Sequence, residues 1–79
     1  MIEKDLSVIL GKVLKEYRER KNMTQQVVAD LAGIQRSHLA CLEAGEKQVT
    51  IKTLVKILSA LSINISEFFR VVEKELKWV

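Results

Sequence analysis

Three consecutive residues, Gln35, Arg36 and Ser37, bring hydrogen-bonding side chains to the start of a short segment with helical periodicity. The planar guanidinium of Arg36 matches the O6 and N7 acceptors of guanine, a contact worth about 1–3 kcal/mol of discrimination between bases. One helical turn further on, Ala40 and Cys41 are small enough to allow close approach to a base edge. We therefore predict base contacts for these five residues. The alternative is solvation or phosphate contact for Arg36, phosphate contact for Ser37, and capping of the helix for Gln35.

His38 and Cys41 are three residues apart and share a helical face, a spacing that also suits a metal site or a catalytic pair. Zinc needs more ligands, and the chain has only one histidine and one cysteine. A Cys–His hydrolase needs a cleft and a third orienting group, for which so short a chain has little room. We therefore predict no enzymatic activity, no metal and no other cofactor. We expect His38 to pack on the preceding helix or reach a phosphate, and Cys41 to be a small apolar contact rather than a redox-sensitive thiol.

Phosphate contacts are expected on both sides of the base contacts, where they set the register of a protein on DNA. Gln25 stands at the start of the preceding helix, and the free backbone N–H groups there favour an anion. Four further candidates lie in and after the following loop: Lys47, Gln48, Thr50 and Lys52. Ordinary solvation of the loop is the alternative for each of them.

The elements that must position these side chains are two short helices joined by a tight turn, within residues 23–45. Thr24 is suited to cap the first helix, and Gly33 to end it in the left-handed conformation. The second helix is predicted from Gln35 to Glu43. The apolar residues predicted to face inward have helical spacing: Val27, Val28, Leu31, Ala32, Leu39 and Leu42.

The rest of the chain continues the helical pattern, and we predict five helices in one all-α domain over residues 1–79. The first helix is predicted at about 7–21 and is ended by Asn22, a residue type that tolerates the left-handed conformation. Thr50 is suited to cap the fourth helix, and the fifth is predicted at about 65–77. Hydrophobic residues make up 48% of the chain and proline is absent, as suits a compact helical bundle.

The net charge of +3 lies entirely in residues 1–61, because residues 62–79 contain equal numbers of acidic and basic side chains. Excess positive charge in the first four helices fits a module that meets phosphates. A single cysteine excludes an internal disulfide, and no apolar run reaches the roughly 18 residues that span a bilayer. We therefore expect a cytoplasmic protein that does not enter a membrane.

The two-helix segment resembles the phage-repressor-like (Cro/CI or Xre-type) helix-turn-helix family. Within the segment, the resemblance is carried by Thr24-Gln25, Ala29, Gly33-Ile34, Leu39, Leu42-Glu43 and Gly45. Outside it, the matching residues are Leu10-Gly11, Leu14, Tyr17-Arg18, Thr53-Leu54, Ile57, Ala60-Leu61 and the run from Ile65 to Phe69. The resemblance implies a five-helix, lambda-repressor-like DNA-binding domain whose helix-turn-helix, formed by helices 2 and 3, covers residues 24–43.

Three further roles follow from the resemblance. It implies an ion pair between Arg18 and Glu43 that ties helix 1 to the end of the recognition helix, and a Gln25 that bridges the DNA backbone and that helix. Asp30 matches a position at which dual-function members contact the sigma subunit of RNA polymerase. The second such position is Gln26, which is not acidic, so solvated surface charge is the alternative for Asp30.

Family members pair about a two-fold axis, with half-sites about one helical turn (34–36 Å) apart. The neutral last helix contains more apolar residues than one packed face needs, which predicts a homodimer interface there. The predicted interface residues are Phe69, Val72, Leu76, Trp78 and Val79. Completion of the core, or fraying of the terminus, is the alternative.

Within the family, the short chain and its run at residues 49–54 look like the controller proteins of type II restriction–modification systems. These are small dimeric regulators that activate at one operator and repress when it fills. Phage-type repressors and the antitoxins of toxin–antitoxin pairs share the same core and remain alternatives. A protein-interaction module without DNA binding is the alternative of another class.

Overall fold

The computed structural model describes residues 5–76, and five helices occupy this range. They are α1 (Leu6–Arg20), α2 (Gln25–Ala32), α3 (Arg36–Glu43), α4 (Ile51–Ala60) and α5 (Ile65–Leu76). These residues contain no strand, which confirms the all-α prediction. The first helix begins and ends one residue earlier than predicted, and the third begins one residue later but ends at Glu43 as predicted. None of the described helices is long and apolar enough to cross a membrane.

Threonine hydroxyls cap two of the helices. The Thr24 hydroxyl accepts from the backbone N–H of Val27 at 3.1 Å, and the Thr50 hydroxyl accepts from the N–H of Thr53 at 3.2 Å. A cap of this kind stabilises a helix by about 0.5–2 kcal/mol. Gln35 occupies the N-cap position of α3 without a side-chain hydrogen bond, so its amide is not used for capping.

Left-handed residues end two of the helices where the sequence predicts them. Gly33 has φ 72° after α2, and the following Ile34 N–H donates to the Ala29 carbonyl oxygen at 3.0 Å. Asn22 has φ 56° after α1. Ser62 also has a positive φ, 57°, in the turn between α4 and α5, and nothing in its residue type indicated this.

All five helices contribute to one hydrophobic core. Its largest fully buried side chains are Phe68, Leu14, Leu39, Leu42, Leu54, Ile57, Leu58 and Leu61. Two residues predicted to face inward do not: Val27 is 45% exposed and Leu31 is 63% exposed. Successive helical residues are 100° apart, and the face of α2 that reaches α3 and α4 is already filled by Val28, Ala29 and Ala32.

The backbone of α1 lies against the end of α3. A Cβ atom added at Gly11 would overlap the carbonyl oxygen of Leu42 and lie 2.9 Å from that of Glu43. Gly45, with φ 76°, also lies close to α1, because a Cβ there would be 2.9 Å from the Cα of Val8. These two glycines let α3 seat on α1 by direct backbone approach.

Candidate nucleic-acid interface

The N-terminal end of α3 displays the predicted base-contact residues on its outer side. Gln35, Arg36 and Ser37 are exposed, while Ala40 and Cys41, one turn further on, are half-buried. The opposite side of the helix is fixed in the core by two leucines with at most 1% exposure, Leu39 and Leu42. Because the two leucines hold one face of α3 in the core, the polar side chains of the opposite face point to solvent.

A shallow hollow beside α3 brings part of the following loop to the same surface. Its lining includes Gln35, Ser37, His38, Cys41 and Lys47. One predicted phosphate ligand from the loop, Lys47, therefore lies next to predicted base-contact residues. His38 and Cys41 are half-buried in its wall.

The other predicted phosphate ligands of this region lie apart from the hollow. Gln48, Thr50 and Lys52 are exposed but do not line it. The Thr50 hydroxyl also donates to the Thr53 hydroxyl at 3.1 Å, in addition to capping α4. A phosphate contact by this hydroxyl would replace its donation to Thr53 and leave the cap intact, because the cap uses the hydroxyl oxygen as an acceptor.

An ion pair connects α1 to the end of α3. Arg18 Nε lies 2.7 Å from Glu43 Oε2, and Arg18 Nη2 donates to Glu43 Oε1 at 3.0 Å, so the pair is bidentate. Arg18 Nη1 also donates to the carbonyl oxygen of Met23 at 2.7 Å. Among the described residues, Glu43 is the only buried charged residue, at 8% exposure. Its hydrogen bond raises the pKa of the Arg18 guanidinium, so the arginine stays charged.

Gln25 continues this network from the interior to the surface of α3. Its Nε2 donates to Glu43 Oε1 at 2.9 Å, and its Oε1 accepts from Arg36 Nη1 at 3.3 Å. Four side chains from three helices, Arg18, Glu43, Gln25 and Arg36, are therefore joined by hydrogen bonds. Spacing alone did not predict the Gln25–Glu43 link. The signal in the sequence was the charged residue at position 43. It follows the buried Leu39 by four residues and therefore lies on the buried face of α3.

The residues predicted to contact other proteins lie elsewhere on the surface. Asp30 is exposed on α2 and accepts from Gln26 Nε2 at 2.8 Å. On α5, Phe69 is 37% exposed, but Val72 and Leu76 are 2% and 8% exposed and already belong to the core. The predicted interface residues Trp78 and Val79 lie outside the described residues.

Comparison with known proteins identifies the family. Residues 14–68 match the family model described as helix-turn-helix. The chain belongs to the Xre-type helix-turn-helix family. This confirms the resemblance drawn from the sequence, and membership makes the chain a DNA-binding transcriptional regulator of the helix-turn-helix class.

Several family members similar to this chain are controllers of restriction–modification systems. The control protein C.MunI of Mycoplasma sp is 32% identical over 72 residues, which cover 90% of this chain and 97% of that protein. The control protein C.SmaI of Serratia marcescens is 30% identical over 61 residues, 77% of this chain and 73% of its own. The controller C.Esp1396I, solved as a tetramer with its natural 35 base-pair operator, has a TM-score of 0.87 at 29% identity, covering 96% of this chain and all of that one.

Proposed function

We propose that this regulator reads a specific DNA sequence with α3, and that α2, the Gly33 turn and α3 form its helix-turn-helix. The observation that best supports this is the N-terminal end of α3. Gln35, Arg36 and Ser37 are exposed there, while the inner face of the same helix is fixed in the core. A guanidinium has five N–H donors, and Gln25 takes one from Arg36. Enough donors remain for a bidentate contact with guanine.

The charge distribution supports the same orientation on DNA. All of the net positive charge lies in residues 1–61, and Lys47 lies beside α3 at the hollow. Positive charge here favours the phosphates that flank a major groove, while base edges are read by the helix between them. We assign the phosphate contacts to Gln25, His38 and Lys47 first. Gln48, Thr50 and Lys52 are further candidates.

We further propose that the protein acts as a homodimer on an inverted-repeat operator, with α5 at the interface. Phe69 is partly exposed on α5 and lines a shallow groove with Val72, Glu73 and Leu76. Its ring also makes an edge-to-face contact with the buried Phe68, at 5.3 Å between centroids, so it is held in place. A rigid, half-exposed aromatic side chain is well suited to an interface.

The relatives favour a controller of a restriction–modification system, and we propose that it activates and then represses as its operator fills. C.MunI matches over nearly its whole length, and the C.Esp1396I structure is a tetramer on a single operator. Contact of Asp30 with the polymerase sigma subunit would provide the activating step. A phage-type repressor or an antitoxin would have the same core. A neighbouring methyltransferase and endonuclease gene pair would indicate a controller, and a neighbouring toxin gene would indicate an antitoxin.

Selection of bound duplexes from a random DNA library tests this proposal. We expect an inverted repeat with half-sites about 34–36 Å apart, relaxed at one position per half-site by Arg36→Ala. Arg20→Ala is the matched control, because it removes the same charge from an exposed arginine of α1, one that stacks on Tyr17. Binding that is weak, salt-labile and blind to sequence would refute the proposal, and a protein partner for α5 would then be sought instead.

A further inference from the structure

We propose that Glu43 is a positioning residue for base recognition by Arg36, and that it acts through the carboxamide of Gln25. This inference rests on the proposed function of α3 as the DNA-reading helix. Two hydrogen bonds carry it: Gln25 Nε2 to Glu43 Oε1 at 2.9 Å, and Arg36 Nη1 to Gln25 Oε1 at 3.3 Å. A buried carboxylate is thereby connected to an exposed arginine through one side chain.

The chemistry of the two neighbours fixes the orientation of the Gln25 amide. An ionised carboxylate only accepts hydrogen bonds, so the amide nitrogen must face Glu43. A guanidinium only donates, so the amide oxygen must face Arg36. Rotating the amide by 180° would oppose oxygen to carboxylate and N–H to guanidinium, and both hydrogen bonds would be lost. Glu43 thus ensures that the group presented to Arg36 is an acceptor.

Glu43 is itself held firmly. Its side chain is 3% exposed, and both of its oxygens accept hydrogen bonds from Arg18. Arg18 is in turn held by the carbonyl oxygen of Met23. The carboxylate therefore cannot rotate away from Gln25 without breaking a bidentate pair.

The neighbouring glutamine shows what the Gln25 position adds. Gln26 is exposed, and its amide bonds to Asp30 within the same helix, so it makes no link to α3. Arg36 is also exposed, and among the described residues its guanidinium has no hydrogen-bonding partner besides Gln25. Ordering a long side chain on binding costs about 2- to 12-fold in affinity. An Arg36 side chain that is ordered before binding avoids part of that cost. The gain in affinity applies only to duplexes that carry the base that Arg36 recognises.

Base preference measured in variants of the full chain tests the inference. Kd is measured for the selected operator and for duplexes changed at each position of a half-site, using Glu43→Gln, Gln25→Met and Arg36→Ala. Gln26→Met is the matched control. We expect Glu43→Gln and Gln25→Met each to reduce the preference at the Arg36 position by roughly 2- to 12-fold, without changing other positions. Combining the two should reduce that preference no further, and neither should change it once Arg36 is alanine. Loss of a phosphate contact in Gln25→Met would lower the affinity for every duplex equally and would leave the preference unaffected.

If Glu43→Gln does not fold, the double variant Arg18→Met, Glu43→Leu removes the pair together and is expected to remain folded. It should show the same selective loss of preference. If Glu43→Gln or the double variant lowers the affinity equally for every duplex, or lowers it to the same extent with Arg36→Ala, Glu43 has only a structural role and the inference is overturned.

Arginine side-chain dynamics give a second readout that needs no DNA. Nitrogen relaxation should show the Nε–H of Arg36 to be more restricted than that of the exposed Arg70, and Glu43→Gln or Gln25→Met should remove the difference. Equal mobility of the two arginines in the unaltered protein would overturn the inference. A wild-type protein without any base preference would refute the proposed function and this role with it. A preference that Arg36→Ala relaxes, but Glu43→Gln and Gln25→Met do not, would refute the role of Glu43 alone.

Discussion

Substitution of Arg18 by alanine should destabilise the fold strongly, because it leaves the Glu43 carboxylate buried without its cationic partner. The two side chains are 11% and 3% exposed, and they meet at 2.7 Å. Removing one partner of a buried ion pair costs about 3–5 kcal/mol. At roughly 0.05–0.15 kcal/mol per residue, a domain of this size has a total stability of about 4–12 kcal/mol. Arg18→Ala should therefore remove a large part of it.

Urea denaturation at neutral pH, followed by far-ultraviolet circular dichroism, measures this loss as a shift in the midpoint at unchanged slope. An internal comparison is the exposed pair between Lys12 and Glu75, which meet at 3.5 Å with side chains 53% and 30% exposed. Solvent screening limits such a pair to about 0–1 kcal/mol, so Lys12→Ala should change little. The two substitutions differ mainly in the burial of the carboxylate left behind.

The double variant Arg18→Met, Glu43→Leu separates the loss of stability caused by an unpaired buried charge from the net contribution of the ion pair to stability. Replacing both members of a buried pair by apolar residues of similar size is often neutral or stabilising. We expect its midpoint to return close to that of the unaltered protein. The reasoning would be refuted by an Arg18→Ala loss below about 1 kcal/mol, or by a double variant as unstable as Arg18→Ala.

Two further predictions concern α1. Gly11→Ala should destabilise by about 3 kcal/mol or more, because the added Cβ meets the rigid carbonyl groups of Leu42 and Glu43; a thermal melt that shifts by no more than a surface substitution would contradict this. Burial, followed by the negative charge of Glu67, raises the pKa of Tyr17 above its ordinary value of 10.0. The stability that Tyr17 contributes is therefore complete below pH 10.0 and is lost as the pH rises through the raised pKa. Tyr17 is the only tyrosine, so tyrosinate absorbance follows it alone, and a midpoint at or below 10.0 would contradict the prediction.

Local signals in the sequence were sufficient for the five helices and for most of their ends to within one residue. Gly33 and Asn22 adopt the predicted left-handed conformations, because their residue types lower the cost of positive φ. Ser62 adopts the same conformation without such a preference, and its turn lets the N–H of the buried Ile63 donate to the carbonyl oxygen of Leu58. Val27 and Leu31 have apolar residue types and helical spacing, but spacing cannot tell how wide the buried face of a short helix is.

At the candidate site, the exposure of individual residues was predictable from the sequence, but the hydrogen bonds between them were not. The exposed start of α3 follows from the apolar spacing of Leu39 and Leu42, which turns Arg36 and Ser37 outward. The bond between Gln25 and Glu43 joins residues 18 positions apart, and it depends on the angle between α2 and α3. The approach of α1 to α3 at Gly11 is likewise a tertiary contact that no local pattern encodes.

The backbone contact between α1 and α3 also bears on how such a regulator can change its target during evolution. Because Gly11 and Gly45 seat α3 through main-chain atoms, the depth at which the helix sits does not depend on the side chains of its outer face. If α3 reads DNA as proposed, substitutions at exposed positions such as Arg36 and Ser37 can then alter what is recognised while the scaffold is inherited unchanged. New specificity becomes accessible by single substitutions, without passing through an unfolded intermediate.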